Sequence, residues 1–148
     1  MRLLCLDIGE KRIGIAISDE TGTFARGLAT VERNGQEYKR LAEIVRENQP
    51  EKIIYGLPLR LDGSFSLQTE KTLAFIEQLK KVVDLPLIPW DERLSTIQAE
   101  NILLMADLSR KKRKKLRDKL SAQIILQSYL EATGNFTHDP FSTPDEQP

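Results

Sequence analysis

The chain predicts a mixed α/β fold, one five-stranded sheet flanked by helices, and three observations carry that prediction. Short apolar runs near the N-terminus alternate with a period of two, later segments repeat at helical spacing, and turn residues separate the two patterns. The size agrees, since 148 residues suit one ordinary domain. Such a domain hides roughly 70% of its unfolded surface, enough for a real core.

Residues 2–8 form an apolar run that reads as a buried strand. In 12–18, Ile13, Ile15 and Ile17 alternate with Gly14, Ala16 and Ser18, and the intervening Gly9-Glu10-Lys11 turn makes the two runs an antiparallel hairpin. Residues 24–31 follow the Thr21-Gly22 turn as a weaker third strand, completing a meander. Helical spacing begins at 36–48 with Tyr38, Leu41, Ile44 and Val45, and Pro50 stops it. A short buried strand is expected at 52–56 and a loop at 57–66, marked by Pro58 and Asp62-Gly63. Leu73, Phe75, Ile76 and Leu79 predict a helix over 67–83, and 85–90 reads as a fifth strand whose Pro86 and Pro89 suit an edge or a strand end. A helix is expected at about 95–106, then a basic segment, then a last helix at about 116–132. Residues 1–133 are expected to form one domain, and 134–148, with three prolines, a poorly ordered tail. A meander followed by β-α-β units gives a mixed sheet with helices on its faces.

The single cysteine, Cys5, excludes an internal disulfide framework and a four-thiolate metal site, and its apolar surroundings make it a core residue. No run approaches 18 apolar residues, so no membrane span is expected. Asp7 breaks the first apolar run, which excludes a signal-peptide pattern and leaves the cytoplasm as the expected location. The formal net charge is zero, but it is unevenly spread. Residues 110–117 hold seven of the 22 positive charges, leaving 15 against 22 negative ones elsewhere. A dense basic segment on an acidic body points to a polyanionic partner.

Candidate chemistry lies in the carboxylates. Asp7 stands near the end of a central buried strand, where a charge is costly unless it is paired or bound to metal. The plainer alternative is that Asp7 caps the turn at Gly9-Glu10. Asp91 and Glu92 close the fifth strand, at the carboxyl ends of strands where sites of open α/β sheets collect. Ser95 or Thr96 could cap the helix that follows, and the bland reading pairs these acids with Arg93 at the surface. Asp118 starts the last helix and shares a face with Ser121, Ala122, Ile125 and Tyr129, small enough at the first two to approach a sheet closely. Alternatively it only complements the helix dipole.

Acids converging at one sheet end without a His or Cys cluster suit Mg²⁺ or Mn²⁺, and Asp7, Asp91, Glu92 and Asp118 are the candidate metal ligands and catalytic groups. Such sites cleave phosphodiesters with two ions. His138 lies in the tail, away from this chemistry. Lys111, Lys112, Arg113, Lys114 and Lys115 would contact phosphates, although charge runs are often solvated helix faces. Lys11 and Arg12 beside Asp7, and Arg93 beside Glu92, would extend the same track.

The segment from Leu6-Asp7-Ile8-Gly9 through Lys11-Arg12-Ile13-Gly14 to Ser18-Asp19 resembles the opening motif of the YqgF family, Holliday-junction-resolvase-like proteins regarded as nucleases of pre-16S ribosomal RNA. Gly56-Leu57-Pro58-Leu59 with Asp62-Gly63, Asp91-Glu92-Arg93-Leu94-Ser95-Thr96, and Asp118 with Ile124 to Leu130 agree in order and spacing. The likeness covers about residues 1–133 and implies an RNase H-like fold and a cytoplasmic role in trimming the 5′ end of the small-subunit RNA precursor. Asp7, the Asp91-Glu92 pair and Asp118 fall on the family's acidic positions; which of Asp91 and Glu92 points inward stays open, because neighbours on a strand face opposite ways. Arg60 replaces a usual Asn, and Glu10 a usual small hydroxyl residue. The competing readings are a resolvase acting on branched DNA, a nucleotide-binding phosphate hairpin of the actin-like type, and a non-catalytic nucleic-acid binder. The expected partner is RNA, free or within a ribosomal particle, with branched DNA as the alternative and the chain a monomer or homodimer.

Overall fold

The computed structural model describes residues 1–94 and 110–134, with 110–117 as helical backbone alone. Strands β1 (Leu3–Ile8), β2 (Arg12–Ser18) and β3 (Ala25–Glu32) form the meander, followed by α1 (Glu37–Asn48), β4 (Lys52–Leu57), α2 (Leu67–Leu79) and β5 (Leu87–Asp91). A 3₁₀ turn, Glu92–Leu94, leaves β5, and α3 spans Arg110–Ala132. The five strands lie in the order β3-β2-β1-β4-β5. β1 pairs antiparallel with β2 and parallel with β4, so the meander and the β-α-β units meet at β1. β5, with Pro86 just before it and Pro89 within it, is an edge strand as expected.

Because side chains alternate across a strand, each strand feeds two cores. Leu4, Leu6 and Ile8 of β1 and Ile13, Ile15 and Ile17 of β2 pack with Leu41 and Ile44 of α1 and Phe75, Ile76 and Leu79 of α2. Leu3, Cys5 and Ala16 face the other way, against Ala122, Ile125, Leu126 and Leu130 of α3. Helix α3 also covers an exposed edge. Gln123 and Gln127 accept hydrogen bonds from the backbone N–H groups of Gly27 and Ala25 on β3, at 3.2 and 2.9 Å.

Local chemistry sets the helix ends. Gln49, left-handed at φ 49°, closes α1 by donating its N–H to the Val45 carbonyl at 2.8 Å, just before Pro50. Ser66 and Thr69 form a reciprocal cap that starts α2, and the Thr69 hydroxyl also reaches the Pro58 carbonyl. Helix α2 ends at Leu79 rather than at 83, because the N–H groups of Val82 and Val83 turn back onto the Leu79 carbonyl.

A larger correction concerns the basic segment. It is not a connection before the last helix but its opening turns, since α3 already runs at Arg110. Lys, Arg and Leu are strong helix formers and no Gly or Pro interrupts 110–132, so propensity outweighs the repulsion between like charges. The helix expected at 95–106 with its Ser95 or Thr96 cap, and the tail with His138, lie outside the described residues. Among the described residues no helix is long and apolar enough to cross a membrane.

Candidate active site

Asp7 follows Leu3 and Cys5 on the α3 face of β1, at the carboxyl end of the strand, and pairs in register with Gly14 of β2. That glycine brings the third acid in. A Cβ on Gly14 would stand 2.0 Å from the carbonyl oxygen of Asp118, so the α3 backbone lies directly on β2 at this point. Asp118 sits more than two turns inside α3, not at its start, so helix-dipole pairing at an N-terminus does not account for it. Gly56 plays the matching part on β4. A Cβ there would meet Glu92 Oε1 at 2.5 Å and Ile125 Cδ1 at 2.8 Å, so its absence opens the space into which Glu92 folds.

The Asp91-Glu92 question resolves by strand parity. Ile88 and Trp90 pack toward α3, with Trp90 Nε1 donating to Ser128 Oγ at 3.1 Å. Glu92 continues that parity and shares a hydrogen bond with Asp7. Asp91 is the neighbour that faces away. It accepts from the Arg93 guanidinium at 2.6 to 3.0 Å and from the Arg93 N–H at 2.9 Å, the surface pairing that was the plainer alternative for this acid.

The electrostatics separate the two acids in the same way. Burial pushes the Asp7 carboxyl well above the usual carboxylate range, and the Glu92 charge, the hydrogen bond to Glu92 and the Asp118 charge push it further. Burial also raises Glu92, against the hydrogen bond from Asp7, which lowers it. Asp91 is instead held below the usual range, chiefly by its hydrogen bonds to Arg93.

The expected phosphate-contacting residues divide. Arg12 Nε donates to Asp118 Oδ2 at 2.9 Å, so this arginine is committed to an acid of the cluster. Arg93 spans Asp91 and the Leu61 carbonyl, the latter at 3.0 Å, clamping the 57–66 loop to the end of β5. Lys11 is exposed. The side chains of Lys111, Lys112, Arg113, Lys114 and Lys115 lie outside the described residues.

As arranged, no three His, Cys, Asp or Glu side chains among the described residues form a group ready to hold a metal ion. Asp7 and Glu92 share a hydrogen bond with each other, and Asp118 is paired with Arg12. The donor set nonetheless suits a hard divalent cation, being carboxylate oxygen alone, and a Cβ at Gly14 or Gly56 would collide with the Asp118 backbone or the Glu92 carboxylate, so both glycines let these acids approach.

Sequence reasoning missed the spacing glycines and one brace. Arg33 donates from Nη1 to the Gly9 carbonyl at 2.9 Å, lies 5.0 Å from the Phe75 ring centre and pairs with the buried Glu37. It fixes the turn after Asp7. The alternation of Gly14 and Ala16 with isoleucines was the available signal that one face of β2 needed room.

Comparison with known proteins places the family and the fold. Residues 1–132 match the RuvX family, described as Holliday junction resolvase. A protein of Desulforamulus reducens named "Putative pre-16S rRNA nuclease" is 48% identical over 134 residues, covering 89% of this chain and 98% of that one. One of the same name from Caldanaerobacter subterraneus subsp. tengcongensis is 48% identical over 138 residues, covering 91% and 99%. Among solved structures, the Fowlpox virus resolvase bound to Holliday junction DNA superposes with a TM-score of 0.59 at 18% identity, covering 90% of this chain and 99% of that chain. T. thermophilus RuvC with its junction substrate gives 0.57 at 15%, covering 92% and 97%. The fold is thus RNase H-like, as expected, and the chain belongs to the RuvX (YqgF) family of Holliday-junction-resolvase-like nucleases.

Proposed function

We propose that this protein is a divalent-metal-dependent nuclease that processes the 5′ end of pre-16S ribosomal RNA in the cytoplasm. The observation that carries the reading is the convergence of Asp7, Glu92 and Asp118 from three elements onto one sheet end, where Gly14 and Gly56 let the Asp118 backbone and the Glu92 carboxylate come close. The relatives' name supplies the substrate class. Asp7, Glu92 and Asp118 would hold Mg²⁺ or Mn²⁺, which when bound supplies an activated water and stabilises the leaving oxygen, in a two-ion site. Asp91 has a different part in this reading. It orients Arg93, which holds the 57–66 loop beside the cluster. Lys11 and the basic opening of α3 would follow the phosphate backbone with sequence-tolerant, salt-dependent affinity.

The test is cleavage of a precursor 16S 5′-leader RNA with Mg²⁺ or Mn²⁺. Wild type should cut, and Asp7→Asn and Glu92→Gln should lose at least about a hundredfold, since a metal site supplies several kcal/mol. Asp91→Asn should lose much less. Full cutting by purified Asp7→Asn would remove the site from the reaction.

The family description and the two junction complexes favour a second reading, a resolvase of branched DNA. Resolution needs two symmetric cuts and hence a dimer. A native mass of two chains, with paired incisions in a synthetic four-way junction, would establish it over RNA processing.

A further inference from the structure

We propose that Arg12 is an exchangeable occupant of the carboxylate cluster, holding Asp118 while no divalent cation is bound and giving it up when one binds. The inference rests on the carboxylate-metal reading above. Arg12 opens β2, with its Nε 2.9 Å from Asp118 Oδ2. The two side chains are 22% and 24% exposed, so the pair lies at the rim of the cluster and not in its floor.

The backbone beneath this side chain is fixed. The Arg12 carbonyl accepts from the Gly9 N–H at 2.9 Å, Arg12 pairs with Glu32 across the sheet, and Arg33 holds the Gly9 carbonyl. A long side chain on a rigid base can leave its partner without disturbing the strand. Asp118 meanwhile lies against Gly14, the residue paired with Asp7 across the hairpin, so its charge acts at the same sheet end. A cation drawn to Asp7 and Glu92 would therefore also be drawn to Asp118, and would repel the guanidinium already on it. One carboxylate cannot serve both cations fully, so ion binding and the Arg12–Asp118 pair compete. Once released, the guanidinium has a planar set of donors suited to phosphate oxygens. It would stand at the rim where a phosphodiester approaches the acids.

The rival is a fixed brace, in which Arg12 only keeps Asp118 in position. The two differ in sign. Losing a competitor tightens cation binding, whereas losing a brace weakens it or leaves it unchanged.

Mn²⁺ titration by electron paramagnetic resonance, on the full chain without RNA, decides between them. Arg12→Ala should bind Mn²⁺ about fivefold tighter or more, the lower end of an ordinary coupling, with Arg12→Lys in between. Wild-type protein gives an independent reading that needs no variant. The ¹⁵N signal of the Arg12 Nε–H should shift on adding Mg²⁺. Equal or weaker binding by Arg12→Ala, with an unmoved Nε–H signal and Mn²⁺ binding that still depends on Asp7, would overturn the proposal and leave the nuclease reading standing. If wild type and Asp7→Asn bind Mn²⁺ alike, the carboxylate-metal reading fails and takes this proposal with it.

Discussion

The two faces of the sheet are built to opposite rules. Toward α1 and α2, β1 and β2 present Leu4, Leu6, Ile8, Ile13, Ile15 and Ile17, large side chains that fill the space between layers. Toward α3 the same two strands present Leu3, Cys5, Asp7, Gly14 and Ala16, which shrink and turn acidic toward one end. One face maximises buried apolar area, the source of most folding free energy. The other gives up area so that a helix backbone can touch a strand and carry Asp118 to the sheet end where Asp7 and Glu92 pair. Stability and chemistry are thus separated by strand parity rather than by domain.

Substitutions on the two faces should fail differently, and the largest stability loss belongs to the apolar face. Leu6 is 1% exposed, and Leu6→Ala should cost about 2–5 kcal/mol in urea unfolding while the surviving folded protein keeps its metal affinity. Gly14→Ala comes next. It adds one methyl where only 2.0 Å is free, so α3 must move off β2, at about 1–3 kcal/mol. Here metal affinity should fall along with stability, because Asp118 moves with the helix. Equal effects of both variants on metal binding would end the division between faces.

The same division explains what could be read from the sequence. The strands of the meander were legible because Ile13, Ile15 and Ile17 repeat with the strand period, and α1 because Leu41 and Ile44 repeat with the helix period. Asp7 was legible as a charge in an apolar run. The start of α3 was not, since seven like charges resemble a solvated linker while their residue types favour helix. Nor was the choice of Glu92 over Asp91. Alternation says that the two point apart, but only the packing of Ile88 and Trp90 on α3 fixes which one turns inward. Arg12 and Arg93 were recognisable as cations near the acids, yet that each is committed to a particular carboxylate depends on three-dimensional distance.

A smaller effect, of opposite sign, sharpens the comparison. The buried Asp7 carboxyl titrates well above its unfolded value, so folding disfavours its ionised form. Below the unfolded carboxylate value of about 4 both states are protonated and Asp7 carries no penalty. As pH rises past that value the unfolded state ionises first, and stability is lost until pH passes the raised folded value. Asp7→Asn removes this loss. Without divalent cations the variant should unfold at higher urea than wild type at pH 7, and the gap should close near pH 4. A variant that is less stable at pH 7 would mean that Asp7 contributes to the fold itself, contrary to the division drawn between the faces. Mg²⁺ should narrow the gap by stabilising wild type alone.

The smallest effect tests whether the loop beside the cluster is held from the cluster's own strand. Arg93 is exposed, and its contacts to Asp91 and to the Leu61 carbonyl tie residues 59–65 to the end of β5. That loop has its own closure, with Arg60 N–H on the Ser64 carbonyl at 3.0 Å and Gly63 N–H on the Arg60 carbonyl at 2.8 Å. Arg93→Gln should therefore leave global unfolding nearly unchanged. Amide exchange at Gly63 and Ser64 should quicken, because the loop loses its anchor but keeps its turn. Acid should mimic the variant. Asp91 is held below the usual carboxylate range, so the clamp fails only when pH falls through that lowered value. Unchanged exchange in both cases would make the loop self-supporting and leave Asp91 and Arg93 as an ordinary surface pair.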